Sequence, residues 1–215
     1  IENGLEVKVN CEVTKIDEES DRVKVSTLDK IYESKNTVIC SPDAISNLIG
    51  TPIKIGYAPM AVVENVPEDA KSFVELDYFI KKCINLLTKG KGIGQAGGIT
   101  LDKENEVENY LNYVIKEHKK RNPSIKVVDT YVGIKKELVS KGEDRNYLYH
   151  INQNSKNVWS IVLGKFTLAF SMAPEFYRRI YKKNPSSLIK HFKIEKKNNL
   201  LSRTTWKEII ESKRN

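Results

Sequence analysis

Gly164-Lys165-Phe166-Thr167 stands where an apolar run, Val158 to Leu163, passes into a segment with helical spacing of Leu168, Phe170, Met172, Ala173, Phe176 and Ile180. A strand-to-helix junction of this kind is suited to an anion. The first amides of a helix have no intrahelical acceptor, its dipole favours negative charge there, and a glycine lets the chain turn and a ligand come close to the backbone. The near-continuous apolar character of Val158, Trp159, Ile161, Val162 and Leu163 predicts a strand covered on both faces. Pro174 predicts a kink or break in the helix, and Arg178, Arg179, Lys182 and Lys183 supply the charge that a helix C-terminus prefers.

Leading into Met172-Ala173, this turn is similar to the Gly-Gly-Lys-x-Thr-Thr segment, with its following Met/Leu-Ala, of FAD-dependent oxidoreductases in the D-amino-acid-oxidase/glycerol-3-phosphate-dehydrogenase superfamily. Leu163 stands where the first glycine usually is, and Leu168 where the second threonine often is. The resemblance implies that Gly164, Lys165, Phe166 and Thr167 lie beside the flavin ring and pyrophosphate. Short alternating segments, Leu5 to Val9, Cys11 to Ile16, Arg22 to Thr27, Lys30 to Ser34 and Asn36 to Cys40, follow the order of the middle of such an FAD domain. In that reading Val13 meets the adenine and Cys40-Ser41 returns to the nucleotide, with Pro42 where the family usually has glycine. The same letters suit any small antiparallel meander.

The segment Asp129 to Leu138 is similar to the family's Gly-[Ile/Val/Leu]-Arg-Pro, with Lys135 in place of the arginine and Lys136 in place of the proline. This implies that Lys135 faces the anionic group of a substrate, but only as a point charge; Arg145 then supplies the bidentate fork. Tyr131 and Tyr147 would form the pocket wall, although tyrosines at strand spacing serve equally well as core residues. No residue stands out as the catalytic base.

Gly92-Ile93-Gly94-Gln95-Ala96-Gly97 matches the glycine pattern of a dinucleotide turn. Its context does not match. A helix should open inside the motif, yet Ile99-Thr100-Leu101 reads as strand and Asp102 reads as the N-cap of the next helix; Asp129 also lies further on than the usual ~20 residues. The favoured reading is a glycine-rich strand or hairpin lining a pocket. The superfamily's own dinucleotide-binding strand, turn and helix would precede Ile1. The expectation is therefore a carboxy-terminal fragment in which FAD belongs to the complete protein and is absent from the fragment. Its uncovered apolar strands would then favour self-association.

With 215 residues and 40% hydrophobic content the chain can bury one large core or two modest ones. No apolar run approaches the ~18 residues of a membrane span. Cys11, Cys40 and Cys83 are widely spaced and strand-like in context, which predicts buried thiols in a reducing cytoplasm. His118, His150 and His191 form no metal pattern. A net charge of +8 and pI near 9.2 come largely from the tail. Few aromatics accompany those lysines, so nucleic acid is an unfavoured partner, and the tail offers a means of peripheral attachment to anionic membrane.

The expected fold is α+β or α/β: a partial FAD-binding domain plus a substrate domain with a mixed or antiparallel sheet and a long amphipathic helix. Residues 1–50 form the first part of the FAD domain, 51–154 the substrate domain, 155–183 the last FAD-domain strand and helix, and 184–215 a basic helical tail. The long helix spans Lys103 to Asn122, with Val107, Tyr110, Leu111, Val114 and Ile115 on its apolar face. The function this implies is oxidation of a C–H bond next to an amine or hydroxyl of a small anionic organic substrate, with an unidentified electron acceptor. A nucleic-acid-binding or noncatalytic interaction module using the basic tail is the alternative.

Overall fold

Short alternating segments produce β1 (Val13–Glu18), β2 (Val23–Thr27), β3 (Ile31–Ser34) and β4 (Thr37–Ile39), and Pro42 opens the one-turn α1 (Pro42–Ala44). Next come β5 (Lys54–Glu64), β6 (Phe73–Asp77), β7 (Lys82–Gly90), β8 (Ile93–Gly98), α2 (Val107–Arg121) and β9 (Lys126–Glu137). The order closes with β10 (Tyr149–Gln153), β11 (Val158–Leu163), α3 (Ala169–Tyr181) and α4 (Thr205–Arg214). The computed structural model describes residues 6–77, 82–138, 148–186 and 203–214. The architecture is α+β with antiparallel and mixed sheets. It divides into two units, Ile1–Lys54 with Lys136–Ile189, and Ile55–Lys135 with Lys190–Asn215.

In the first unit β1, β2 and β3 form an antiparallel meander. A second sheet has the order β10–β11–β4, with β11 antiparallel to β10 and parallel to β4. As its apolar run requires, β11 is buried on both faces. Val158 and Val162 pack with Val23, Ile39 and Ile45, while Trp159 and Ile161 pack with Met172, Phe176 and Ile180 of α3.

In the second unit the sheet order is β6–β7–β8–β5–β9. Period-two alternation gives it two apolar faces. Ala61, Val63, Ile84, Leu86 and Ala96 meet the α2 face that carries Val114 and Tyr110. Val62, Ile93 and Tyr131 belong to a separate cluster with Trp206, Ile209 and Ile210 of α4. The α2 stripe runs one turn further than its apolar letters, because His118 is only 2% exposed and its Nε2 lies 3.0 Å from the Asn85 carbonyl oxygen.

Several expectations are corrected. Residues 6–9 are not a strand: Val7 and Val9 remain exposed, so alternation there brings no burial. Asp102 is not the cap; a 3-10 turn, Glu104–Glu106, precedes α2, with Lys103 in extended backbone before it. Of Ile99 to Leu101, Leu101 makes an isolated bridge to Tyr57. Of the kink or break expected at Pro174, the break does not occur, since α3 runs through it. The carbonyl that loses its helical donor there belongs to Phe170. Cys83 is buried, but Cys11 is half-buried and Cys40 exposed.

Candidate functional site

The parallel register Val158↔Thr37, Trp159↔Val38 and Ser160↔Ile39 carries the carboxyl ends of β4 and β11 to one edge of their sheet. Cys40 and Ser41 follow β4 there, and Gly164 to Thr167 follow β11. Ligands of open α/β sheets bind beyond such carboxyl ends. At this edge Lys165 is extended, and the 3-10 turn Phe166–Leu168 begins the helical stretch that continues as α3. Leu168 N–H is the first to bond back, to Lys165 O at 3.0 Å, so the amides of Phe166 and Thr167 precede the helical ladder. Those donors suit an anionic oxygen. Gly164 contributes less: its N–H donates to Leu148 O at 2.8 Å, and it is not among the positive-φ glycines Gly50, Gly90 and Gly92.

Phe166 is 90% exposed and Phe170 is 82% exposed, one turn apart beside these amides. Helical spacing had placed Phe170 on the core face with Met172, yet the core of α3 consists of Met172, Phe176 and Ile180. An aromatic pair left in water next to amides that make no backbone hydrogen bond among the described residues is a signal that periodicity alone does not separate from packing. Val13 lies elsewhere in this unit, in β1, paired with Thr27 next to a register shift.

The second set of residues lies on β9. Tyr131, Gly133 and Lys135 alternate on one face, and the Tyr131 hydroxyl accepts a hydrogen bond from Gln95 Nε2 of β8. Burial raises the Tyr131 pKa above its ordinary value, so the hydroxyl stays protonated. Gln95 is only 6% exposed, and sequence reasoning passed over it as part of a glycine-rich run. Its cross-strand partners extend the face. Val62 and Leu87 oppose Gln95, and Asn85 opposes Gly97. Asn85 Oδ1 is buried and accepts no hydrogen bond among the described residues. The face therefore carries two amides and a phenol, covered by α4 at Val62 and Tyr131, with Lys135 further along the same side of β9. Lys136 points to other work, as an ion pair with Asp43 of α1. Arg145 and Tyr147 lie outside the described residues.

The Gly92–Gly97 pattern has a steric cause. A Cβ on Gly98 would collide with the Tyr110 hydroxyl and the Cys83 carbonyl, and one on Gly97 with Met60. Tyr110 reaches from α2 into the room left by Gly98, donating to Cys83 O and accepting from Ile99 N–H at 3.0 Å. The run is strand β8 after a turn with positive φ at Gly90, Lys91 and Gly92.

The chain resembles known structures. L-proline dehydrogenase from P. horikoshii matches with a TM-score of 0.66 over 86% of this chain and 53% of its own, at 12% identity. The Tyr258Phe mutant of NikD, an unusual amino acid oxidase essential for nikkomycin biosynthesis, gives 0.64 over 89% and 58%, at 11% identity. L-amino acid deaminase from Proteus vulgaris, lacking its specific insertion, gives 0.63 over 86% and 49%, at 13% identity. The chain shares their fold. It spans about half the length of these proteins. No family model matches the sequence, and neither does any curated protein. No helix among the described residues is long and apolar enough to cross a membrane, and no described cluster of His, Cys, Asp and Glu could hold a metal ion.

Proposed function

We propose that this chain is part of an FAD-dependent oxidoreductase that oxidises a C–H bond next to the amine or hydroxyl of a small organic acid. The observation that carries the reading is a fold likeness extending over most of the chain to three proteins named as an amino acid dehydrogenase, deaminase and oxidase. The parallel direction of β4 and β11 supports it as well, because Cys40-Ser41 and Gly164 to Thr167 both follow carboxyl ends of neighbouring strands, and the Phe166 and Thr167 amides precede the helical ladder. When bound, the flavin would accept the hydride. The residues of this chain would hold and orient. Amides at Phe166 and Thr167 would face negative charge on the cofactor, and the exposed rings of Phe166 and Phe170 would cover its apolar parts. On β9, Lys135 would attract the substrate's anionic group, while Gln95 and Tyr131 would hold its neutral polar atoms.

Two variants of the complete protein test this division of labour. Gly164→Val should lower FAD content per protein, read from the flavin absorbance, by placing a side chain where the ring comes close. Lys135→Met should raise KM for an anionic substrate with FAD still bound, since it removes charge on the substrate side only. Unchanged FAD content in the first variant removes the Gly164 turn from the cofactor site. Loss of flavin with substrate binding kept in the second reverses the roles assigned to the two regions.

A further inference from the structure

The opposite edge of the β10–β11–β4 sheet holds a second site. Because β4 and β11 run parallel, the residues entering them, Lys35-Asn36 and Lys156-Asn157, lie side by side, and Thr37 N–H donates to Asn157 O at 2.9 Å. Antiparallel β10 ends at this edge with Gln153. α3 follows β11 and packs back over the same sheet, ending at Arg179 to Lys182. The topology thus gathers Lys35, Lys156, Arg179 and Lys182 around one cleft of about 610 Å³, whose lining contains no carboxylate.

Two observations set this cleft apart from an ordinary basic surface. The first is the charge balance. A helix C-terminus accounts for roughly half a negative charge, whereas four cations from three parts of the chain line the cleft. Glu175 pairs with Arg179 at 2.9 Å but also with Arg178 at 3.0 Å, Arg179 Nη1 donates in addition to Ile151 O at 3.0 Å, and Glu18 accepts from the Asn157 backbone amide at the margin. Lys156 bonds Ser20 O at 3.1 Å, and its charge also reaches the Asp21 carboxylate, which pairs mainly with Arg22. The side chains of Lys35 and Lys182 make no hydrogen bond or ion pair among the described residues, while the Lys182 backbone N–H donates to Arg178 O at 2.9 Å. The second observation is Trp159. It lines the cleft at 6% exposure, edge-on to Phe176 at 5.8 Å, and its indole Nε1–H is buried without an acceptor. A buried donor left unpaired costs about 1–3 kcal/mol; because this nitrogen has no accessible surface, a ligand oxygen reaches it only with a shift of the indole, and such a shift is what binding would register at this residue.

We infer that the cleft between the amino ends of β4 and β11 and the carboxyl end of α3 binds a small organic phosphate or diphosphate. Its size falls in the range of ~300–1,000 Å³ typical of small-molecule sites. Its donors are lysine and arginine cations with the Asn36, Asn157 and Gln153 amides, and Tyr181 and Ile180 offer apolar surface for the organic part. This site is independent of the cofactor reading, since it lies at the amino ends of the strands whose carboxyl ends carry Gly164.

The test uses the 215-residue chain. Inorganic pyrophosphate and AMP are titrated by calorimetry against sodium chloride of matched ionic strength, while the indole N–H resonances of the two tryptophans are followed by NMR. The expected result is one-to-one binding with a shift of the Trp159 resonance, weakened roughly 10-fold or more in Lys35→Gln/Lys182→Gln, as loss of two charge-assisted contacts requires. Both lysines are exposed, so this variant should keep its thermal unfolding profile. Trp159→Phe is a second variant: in it the double-lysine effect on pyrophosphate affinity should persist, and loss of all lysine dependence in the folded variant overturns the site. A response equalled by sodium chloride, or affinity unchanged in the folded double-lysine variant, overturns the site. A lipid arm with phosphatidylcholine vesicles containing phosphatidic acid separates the sources of phosphate. Lysine-dependent sedimentation with those vesicles in the absence of pyrophosphate binding would overturn the assignment to a small soluble ligand.

Discussion

Gly164 and Gly98 are both glycines at points where close approach matters, but their neighbourhoods differ in kind. At Gly98 the approach is internal and complete: the Tyr110 hydroxyl and Cys83 carbonyl already occupy the position a Cβ would take. At the Gly164 turn the neighbours on one side are exposed aromatics, Phe166 and Phe170, and amides not yet within the helical ladder. A glycine pattern that packs against its own protein is an architectural device. One that opens onto unpaired amides and bare rings is suited to something else. The glycine-rich Gly92–Gly97 run, which has the stronger formal resemblance to a nucleotide motif, is the one explained by packing.

The largest effect that would break this contrast is at Gly98. Gly98→Ala should destabilise the second unit by about 3 kcal/mol or more, because the colliding Cys83 oxygen is backbone and cannot rotate away. Denaturant unfolding measures it, and an unperturbed midpoint would return the run to consideration as a ligand turn. Tyr110→Phe is the next in size. It leaves Ile99 N–H without its acceptor, and a loss of about 1–3 kcal/mol is expected. Should the same change cost nothing, the room left by Gly98 does not serve the tyrosine.

His118 gives a pH-dependent test of the same α2–sheet packing. Burial lowers its pKa below 6.5, so protonation favours the unfolded chain. Its contribution is therefore complete above the unfolded value and declines as pH falls from about 6.5 towards the lower folded value. Thermal unfolding from about pH 7.5 to about pH 5 should show a fall in Tm that is reduced in His118→Gln. A slope identical in the two proteins would place the acid sensitivity elsewhere. The smallest effect belongs to Gly133→Ala. Its Cβ would meet only Ala58, at 3.6 and 3.8 Å, so stability should stay within ~0.5 kcal/mol. A larger loss would mean that Gly133 is held by packing, as Gly98 is.

Legibility in the sequence followed the source of each stabilisation. β11 was read to the residue because a double-sided apolar run needs no partner to declare itself. The apolar stripe of α2 is equally plain, and Tyr110, Leu111, Val114 and Ile115 of it pack against the sheet. Where a residue's role depends on a distant neighbour, the letters were silent. Nothing local to Gly98 announces Tyr110, and nothing local to Gln95 announces Tyr131. Phe170 has the right spacing for the core of α3 and the wrong direction, since the face is chosen by Trp159 and Ile161 rather than by the helix. The grouping of Cys40-Ser41 with Gly164 followed from the superfamily resemblance in sequence and from parallel register in the structure.

That register also has a consequence for how the chain is made. β4 emerges from the ribosome well before β11, and the whole of Ile55–Lys135 is synthesised between them. Ile39 and Ile45 must wait for Val158 and Val162, just as Val62 and Ile93 must wait for Ile210 of the final helix. Loop closure over such spans grows only as the logarithm of length, so the delay is one of time more than of stability. Contacts of this range form late, and waiting apolar surface invites wrong partners. Each unit is thus held open by the segment that builds the other, and yield in a cell should depend on chaperone supply and translation speed more than the two separate cores would suggest.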